Sequence, residues 1–274
     1  MEARVAPRRG SRAGGLYHEE AGEGVPVLLI HPSGATASTW GPAVAELARF
    51  GRVIAYDRRG YERSPGGPVR SMSTHTADAA GILESLEAAP AVVVGTSAGA
   101  AIAVDLAVRR PDLVRAVVAH EFPWRYARHP PTASQAAALA KIGALVLLRR
   151  EREAVEVLLR SAYAYRDGGS AWEAFPDEWR RVARANAGAA LADFRSSIGV
   201  YPSAAELATV AVSVVCSYGA RSPHNMARLV RGLAAAMPGA TTHVIEGAGH
   251  AAPFDAPGEF VELIAGTIAE TRVG

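Results

Sequence analysis

The sequence predicts an α/β chain: a mostly parallel, twisted sheet with helices on both faces and one helical insertion. Three observations carry that expectation. Short apolar runs alternate with helix-length segments over the first 121 residues, the signature of parallel strands covered on both sides. From 122 to 207 the alternation stops, and it resumes from 208 to the end. The chain has 274 residues, 49% of them hydrophobic, which is enough for one large core.

The first apolar run, 25–30, ends at His31-Pro32-Ser33-Gly34, and a helix is expected over 40–50. A second run, 52–56, ends at Asp57-Arg58-Arg59-Gly60, followed by a helix over 74–88. The third, Ala91-Val92-Val93-Val94, breaks into Gly95-Thr96-Ser97-Ala98-Gly99 and continues as an Ala-rich helix to 109. A fourth, from 114, closes on His120-Glu121. Residues 122–207 show no strand pattern, read as several helices and hold many of the large aromatics, so they form a lid inserted into a core of 1–121 and 208–274. Beyond it the chain predicts a strand at 212–217, a helix at 224–237, a strand at 242–246 and a closing helix at 257–270.

Composition excludes several functions. A formal net charge of +2 without a basic, aromatic-interleaved stripe gives nucleic-acid binding little support. No run is long enough to span a bilayer and no signal peptide is visible, so a soluble, cytoplasmic protein without a membrane partner is expected. One cysteine, Cys216, forbids an intrachain disulfide, and its apolar run reads as core. Asp57 with its arginine neighbours lacks ligand geometry and reads as a structural turn. No metal or cofactor is implied, and oligomeric state has no signal.

The chemistry concentrates around Ser97. A strand that feeds Gly-x-Ser-x-Gly and then a helix lifts the serine out of a tight turn, which makes Ser97 the candidate nucleophile. His250, after the last strand and the flexible Gly247-Ala248-Gly249, is the candidate base, since an imidazole takes the hydroxyl proton and returns it to the leaving group. A carboxylate must hold that ring. The stretch after Cys216 contains none, so Glu121, a charge closing an apolar strand, is preferred, with Asp255 as the alternative. The oxyanion needs preorganised donors. The N–H of Ala98 is one; Ser33, with its N–H and also its hydroxyl, is the second, because Pro32 has no N–H. His31 is expected to brace that loop.

The segments LLIHPSG, AYDRRGYERS, VVVGTSAGA and EGAGHAAPF, in this order, resemble the α/β-hydrolase superfamily over residues 16–269. The His-Gly pair common in that family is His31-Pro32 here. Glu121 matches members whose acid follows the strand after the nucleophile, and VVAHEFPW is similar to the zearalenone lactonase-like branch. The resemblance implies a triad of Ser97, Glu121 and His250, with Tyr201 lining the pocket; Trp124, in the same aromatic block, is expected to contact substrate. It implies a serine hydrolase of carboxylic esters or lactones, extending to a macrolactone such as zearalenone, acting on a small hydrophobic substrate. Carbon–carbon hydrolysis, perhydrolysis or polyketide cyclisation on the same triad, and a non-catalytic ligand-binding sensor, are the alternatives. Dehalogenase and epoxide hydrolase readings require aspartate at position 97.

Overall fold

The computed structural model describes residues 9–124, 131–197 and 202–273. Its strands are β1 (Arg9–Ala13), β2 (Leu16–Ala21), β3 (Pro26–Ile30), β4 (Arg52–Tyr56), β5 (Ala91–Thr96), β6 (Val114–His120), β7 (Ser213–Gly219) and β8 (Thr241–Ile245). They form one sheet in the order β1-β2-β4-β3-β5-β6-β7-β8. From β4 to β8 every neighbouring pair is parallel, while β1 and β2 are antiparallel to each other and β2 to β4.

Three α-helices precede β6: α1 (Gly41–Leu47), α2 (Met72–Ser85) and α3 (Ala98–Arg109). After β7 come α10 (His224–Ala235), the short α11 (Ala252–Asp255) and α12 (Pro257–Val273). Alternate strand residues serve the two faces. Leu28, Ile54, Val93 and Val117 meet the layer of α2, α3 and α10. Val27, Leu29, Val92, Val94 and Val118 meet α1 and α12. All six residues of β5 are buried, which is why this strand reads as a continuous apolar run.

Two features were not legible as strand–helix alternation. The β1–β2 hairpin turns on Gly14 and Gly15, with φ of 56° and 81°, a two-residue connection with positive φ at both positions. That glycine pair is its only sequence signal. The other is the single turn of α11, which follows His250 directly. Between β6 and β7 run α4 (Ala133–Leu147), α5 (Glu151–Ala162), α6 (Ala171–Ala174), α7 (Asp177–Ala185), α8 (Ala187–Ser197) and α9 (Ala204–Leu207), with an isolated bridge between Ala164 and Ser170. Leu159, Trp172, Phe175 and Ala190 from these helices cluster with Ala251, so the segment packs against the loop that follows β8. Among the described residues no helix is long and apolar enough to cross a membrane.

The β5–α3 turn sets the tightest constraint on sequence. A Cβ on Gly95 would lie 2.2 Å from the Gly99 carbonyl oxygen, and one on Gly99 would lie 2.0 Å from that of Ile30. Both obstacles are backbone and cannot rotate away. Gly99→Ala is therefore expected to destabilise the fold by about 3 kcal/mol, the upper end for overpacking. Thermal unfolding should show a melting temperature several degrees lower; an unchanged midpoint would show that β3 and α3 are not in contact as described.

Candidate active site

Ser97 occupies the turn between β5 and α3 with φ 53° and ψ −116°, a left-handed conformation costly for a residue with a Cβ. The turn holds because Ser97 N–H donates to the His120 carbonyl at 2.9 Å and the Ser97 carbonyl accepts from Ala101 N–H at 3.1 Å. Strand and helix thus grip the serine from both sides, and its side chain lines a cavity shared with His250.

Glu121 also has positive φ, 48°, at the exit of β6. Its carboxylate is fully buried. His250 Nδ1 lies 2.6 Å from Oε2. Oε1 accepts from Gly219 N–H at 2.9 Å and from the Ser222 hydroxyl. Burial acts to raise the Glu121 pKa, but the hydrogen bond and charge of His250, with His120 and Ser222, outweigh it and hold the carboxyl below its ordinary value. The stretch after β7 that lacks an acid thus supplies donors to an acid on the neighbouring strand. Asp255, the alternative, bonds Gly249 N–H at 2.8 Å and the Tyr165 hydroxyl at 2.7 Å, and so fixes the loop that carries His250.

His120, which sequence reasoning did not single out, supports the same loop. Its Nε2 is 3.2 Å from the Gly249 carbonyl and its Nδ1 is 3.1 Å from Ser217 Oγ. A carbonyl only accepts, so Nε2 carries the proton and Nδ1 accepts from the Ser217 hydroxyl. Full burial pushes this imidazole down to about 4.

Ser33 and Ala98 border the cavity on either side of Ser97, and among the described residues neither N–H has a protein acceptor. The Ser33 hydroxyl, however, donates to Asp193 Oδ2 at 2.8 Å, so the expectation that it also faces an oxyanion is corrected: its single proton is committed. The same oxygen accepts from Arg58 Nη2 at 2.6 Å and the Tyr61 hydroxyl at 2.5 Å. His31 braces the loop as expected. Its Nδ1 donates to the Pro32 carbonyl at 2.8 Å and its Nε2 accepts from Arg58 N–H at 3.0 Å. Burial, aided by Arg58, holds it well below its ordinary pKa and hence neutral. Asp57 is a structural residue, bonded to Ala37 N–H at 2.8 Å and to Arg63 Nε at 2.6 Å.

The cavity has two chambers. The larger, 150 Å³, contains Ser97 and Ala98 and is walled by Leu139, Ile142, Phe194 and Met226. The smaller, 50 Å³, lies toward Trp40, Thr96, Trp179 and Phe254. Ser33, Leu159, Tyr163 and His250 border both. Tyr163, with its ring centroid 5.3 Å from that of His250, is a lining residue that sequence reasoning missed. Trp124 lines neither chamber: its indole packs in the core cluster and its N–H donates to the Pro202 carbonyl at 2.8 Å. The expected substrate contact is corrected accordingly. Tyr201 lies outside the described residues. Cys216 is fully buried, and its thiol is pushed up to about 12 by that burial.

A pH dependence follows from His120. An unfolded histidine titrates near 6.5 and the folded one near 4. The unfolded chain therefore binds more protons between these values, and stability falls as pH drops from about 6.5 to 4, roughly 3 kcal/mol of it through His120, with the buried His31 and His75 adding losses of the same sign. Glu121 adds a loss at still lower pH, as its depressed group is protonated. Urea midpoints at pH 7, 5.5 and 4.5 should fall in this window, and His120→Gln should flatten the slope; an equal slope in both proteins would contradict the assignment.

Comparison with known proteins agrees with this architecture. Residues 27–263 match the sequence model of the Alpha/beta hydrolase family. A hydrolase named YraK from Bacillus subtilis (strain 168) is 34% identical over 109 residues, 39% of this chain and 40% of the relative. 2-Hydroxymuconate semialdehyde hydrolase from Pseudomonas sp. (strain CF600) is 36% identical over 104 residues, 36% of this chain and 37% of its own. These alignments thus span about two fifths of the curated relatives' length. Among solved structures, a bromoperoxidase from Bacillus anthracis superposes with TM-score 0.77 at 20% identity, covering 96% of this chain and 100% of the other. Est816, described as an N-acyl homoserine lactone degrading enzyme, does so with TM-score 0.75 at 22% identity, covering 94% and 99%. The fold, the Gly-x-Ser-x-Gly turn and the family match over most of its length make this chain a member of the alpha/beta hydrolase family.

Proposed function

We propose that this alpha/beta hydrolase is a serine hydrolase of carboxylic esters or lactones, with Ser97 as nucleophile, His250 as general base and acid, and Glu121 as the carboxylate that orients it. The observation that carries the reading is the 2.6 Å bond from His250 Nδ1 to the buried Glu121 carboxylate, beside a serine held at the strained turn. With Nδ1 engaged by Glu121, Nε2 is the nitrogen left for the Ser97 hydroxyl.

Attack of Ser97 Oγ on the ester carbonyl moves the hydroxyl proton to His250 Nε2. The oxyanion is held by the N–H groups of Ser33 and Ala98, the latter at the positive end of α3. Collapse expels the alkoxide, which takes the proton from His250 and leaves an acyl-enzyme. Water activated by the same ring then releases the acid. In a lactone the alcohol stays tethered, and the product is a single hydroxy acid. Residues 122–207 act as the lid over the core of 1–121 and 208–274, closing an apolar room over Ser97.

Cavity size bounds the substrate. A space of 150 Å³ takes about one benzene-sized group. A resorcylic macrolactone such as zearalenone, implied by the resemblance of VVAHEFPW, exceeds that volume and would extend into the adjoining cleft that shares Gln135, Ala138, Ser161, Pro223 and Asn225 with the cavity. Smaller esters and lactones with one apolar arm fit the room as it stands.

Fluorophosphonate labelling and ester hydrolysis test the reading together. Labelling is expected at Ser97 alone. Ser97→Ala and His250→Ala should lower kcat by on the order of 10⁶-fold, and Glu121→Gln by about 10⁴-fold. Zearalenone, followed by mass for the ring-opened product, reports whether the lid admits a macrolactone. Labelling elsewhere, or full activity in Ser97→Ala, would overturn the mechanism; a protein that binds esters without turnover would fit the sensor alternative instead.

A further inference from the structure

The two chambers differ in size and in which reacting groups they contain. The larger one holds Ser97 and Ala98, the nucleophile and one oxyanion donor, and its walls are mostly apolar, with Gln135, Ser161 and Asn225 among them. The smaller one reaches His250 but neither Ser97 nor Ala98. Trp40 and Thr96 line it, and their Nε1 and Oγ1 atoms, covered in this structure, have no hydrogen-bond partner among the described residues. These residues are 3% and 2% exposed. A buried N–H or hydroxyl left unpaired costs about 1–3 kcal/mol, so a hydroxyl that reaches these atoms from the chamber is favoured. Trp40 is also held in place: Phe260 stacks on its indole with centroids 6.2 Å apart.

The reaction itself sorts the two chambers. A leaving alkoxide takes its proton from His250, and the water that replaces it gives its proton to the same nitrogen, so both occupy the position next to the imidazole by microscopic reversibility. The acyl group stays on Ser97 with its oxygen at the Ala98 N–H. The chamber that contains Ser97 and Ala98 is therefore the acyl side, and the one that has His250 without them is the alcohol side. Its 50 Å³, a third of the acyl chamber, suits water or an alcohol of about two carbons.

We infer that the small chamber lined by Trp40 and Thr96 is a binding site for a small hydroxylic molecule, and that the substrate is a short-alcohol ester of an apolar, aromatic-sized acid. This rests on the serine-hydrolase reading above and assigns the direction in which the ester lies. In acylation the Ser97 Oγ–carbon bond forms as the carbon–alkoxide bond breaks, and the proton that left Ser97 passes through His250 to the departing alcohol. That alcohol accepts from Trp40 Nε1–H and pairs with the Thr96 hydroxyl. Water then takes its place, loses a proton to His250 and adds its oxygen to the acyl carbon; the acid departs and the proton returns to Ser97.

Two isomeric esters read the direction directly. Methyl phenylacetate places the aromatic group on the acyl side and a methyl group on the alcohol side; benzyl acetate reverses them at the same composition. The expected kcat/KM ratio is at least about tenfold in favour of methyl phenylacetate. Trp40→Phe keeps the bulk that stacks on Phe260 and removes the donor, and Thr96→Val keeps shape and removes the hydroxyl. Each should lower that ratio by about five- to tenfold, whereas a general loss of structure lowers both rates alike and leaves the ratio intact. Equal rates, or preference for benzyl acetate, would overturn the assignment. So would failure on both isomers while p-nitrophenyl acetate turns over through Ser97. Failure on every ester with Ser97 unlabelled would overturn the serine-hydrolase reading as well.

Discussion

The site depends on one buried carboxylate. Glu121 lies at zero exposure, where an unpaired charge would be prohibitively costly, and the structure compensates with donors from three directions. Gly219 N–H and the Ser222 hydroxyl take one oxygen, and His250 takes the other. Gly219 and Ser222 come from the end of β7 and the loop after it, and His250 from the loop after β8, so satisfying this one group also fixes those two segments relative to β6. His120, next in sequence, works from the same strand: its ring holds the Gly249 carbonyl beside His250. A pair of adjacent residues at one strand end thus sets both the partner and the backbone of the imidazole.

A second buried knot joins the helices between β6 and β7 to the loops after β3 and β4. Asp193 on α8 is 1% exposed and receives Arg58, Tyr61 and Ser33 from the two loops after β3 and β4. The attraction of Arg58 and its hydrogen bond, together with His75, overcome the burial that would raise this carboxyl and hold it well below the usual range. Such a pair adds little net stability compared with a well-packed apolar contact, but it specifies register. Here it aligns the loop that presents the Ser33 N–H with the helix that carries Phe194 into the larger chamber.

Much of this arrangement was legible in the sequence. Helix α3 begins where the Ala-rich run does, because the close backbone approaches at Gly95 and Gly99 fix the turn there. Glu121 was legible because a charge at the end of an apolar strand has no packing reason to be there. What escaped were the supporting contacts between residues distant in sequence that carry no motif. His120 and Asp193 resemble any histidine or aspartate until the fold supplies Gly249 and Ser33. Trp124 was misread for a related reason: an aromatic beside the acid suggests a pocket wall, but its N–H finds Pro202 and its ring finds the core. The Ser33 hydroxyl was assigned to the oxyanion because its true acceptor lies 160 positions away.

The measurement that bears most directly on the account is nitrogen-15 NMR of the histidine side chains, with the His250 resonances assigned by their loss in His250→Gln. The account predicts a proton on His250 Nδ1, far downfield of the amide region, that persists in Ser97→Ala and disappears in Glu121→Gln. A His250 protonated only at Nε2, or an Nδ1 proton unaffected by Glu121→Gln, would contradict the central claim that Glu121 organises the site.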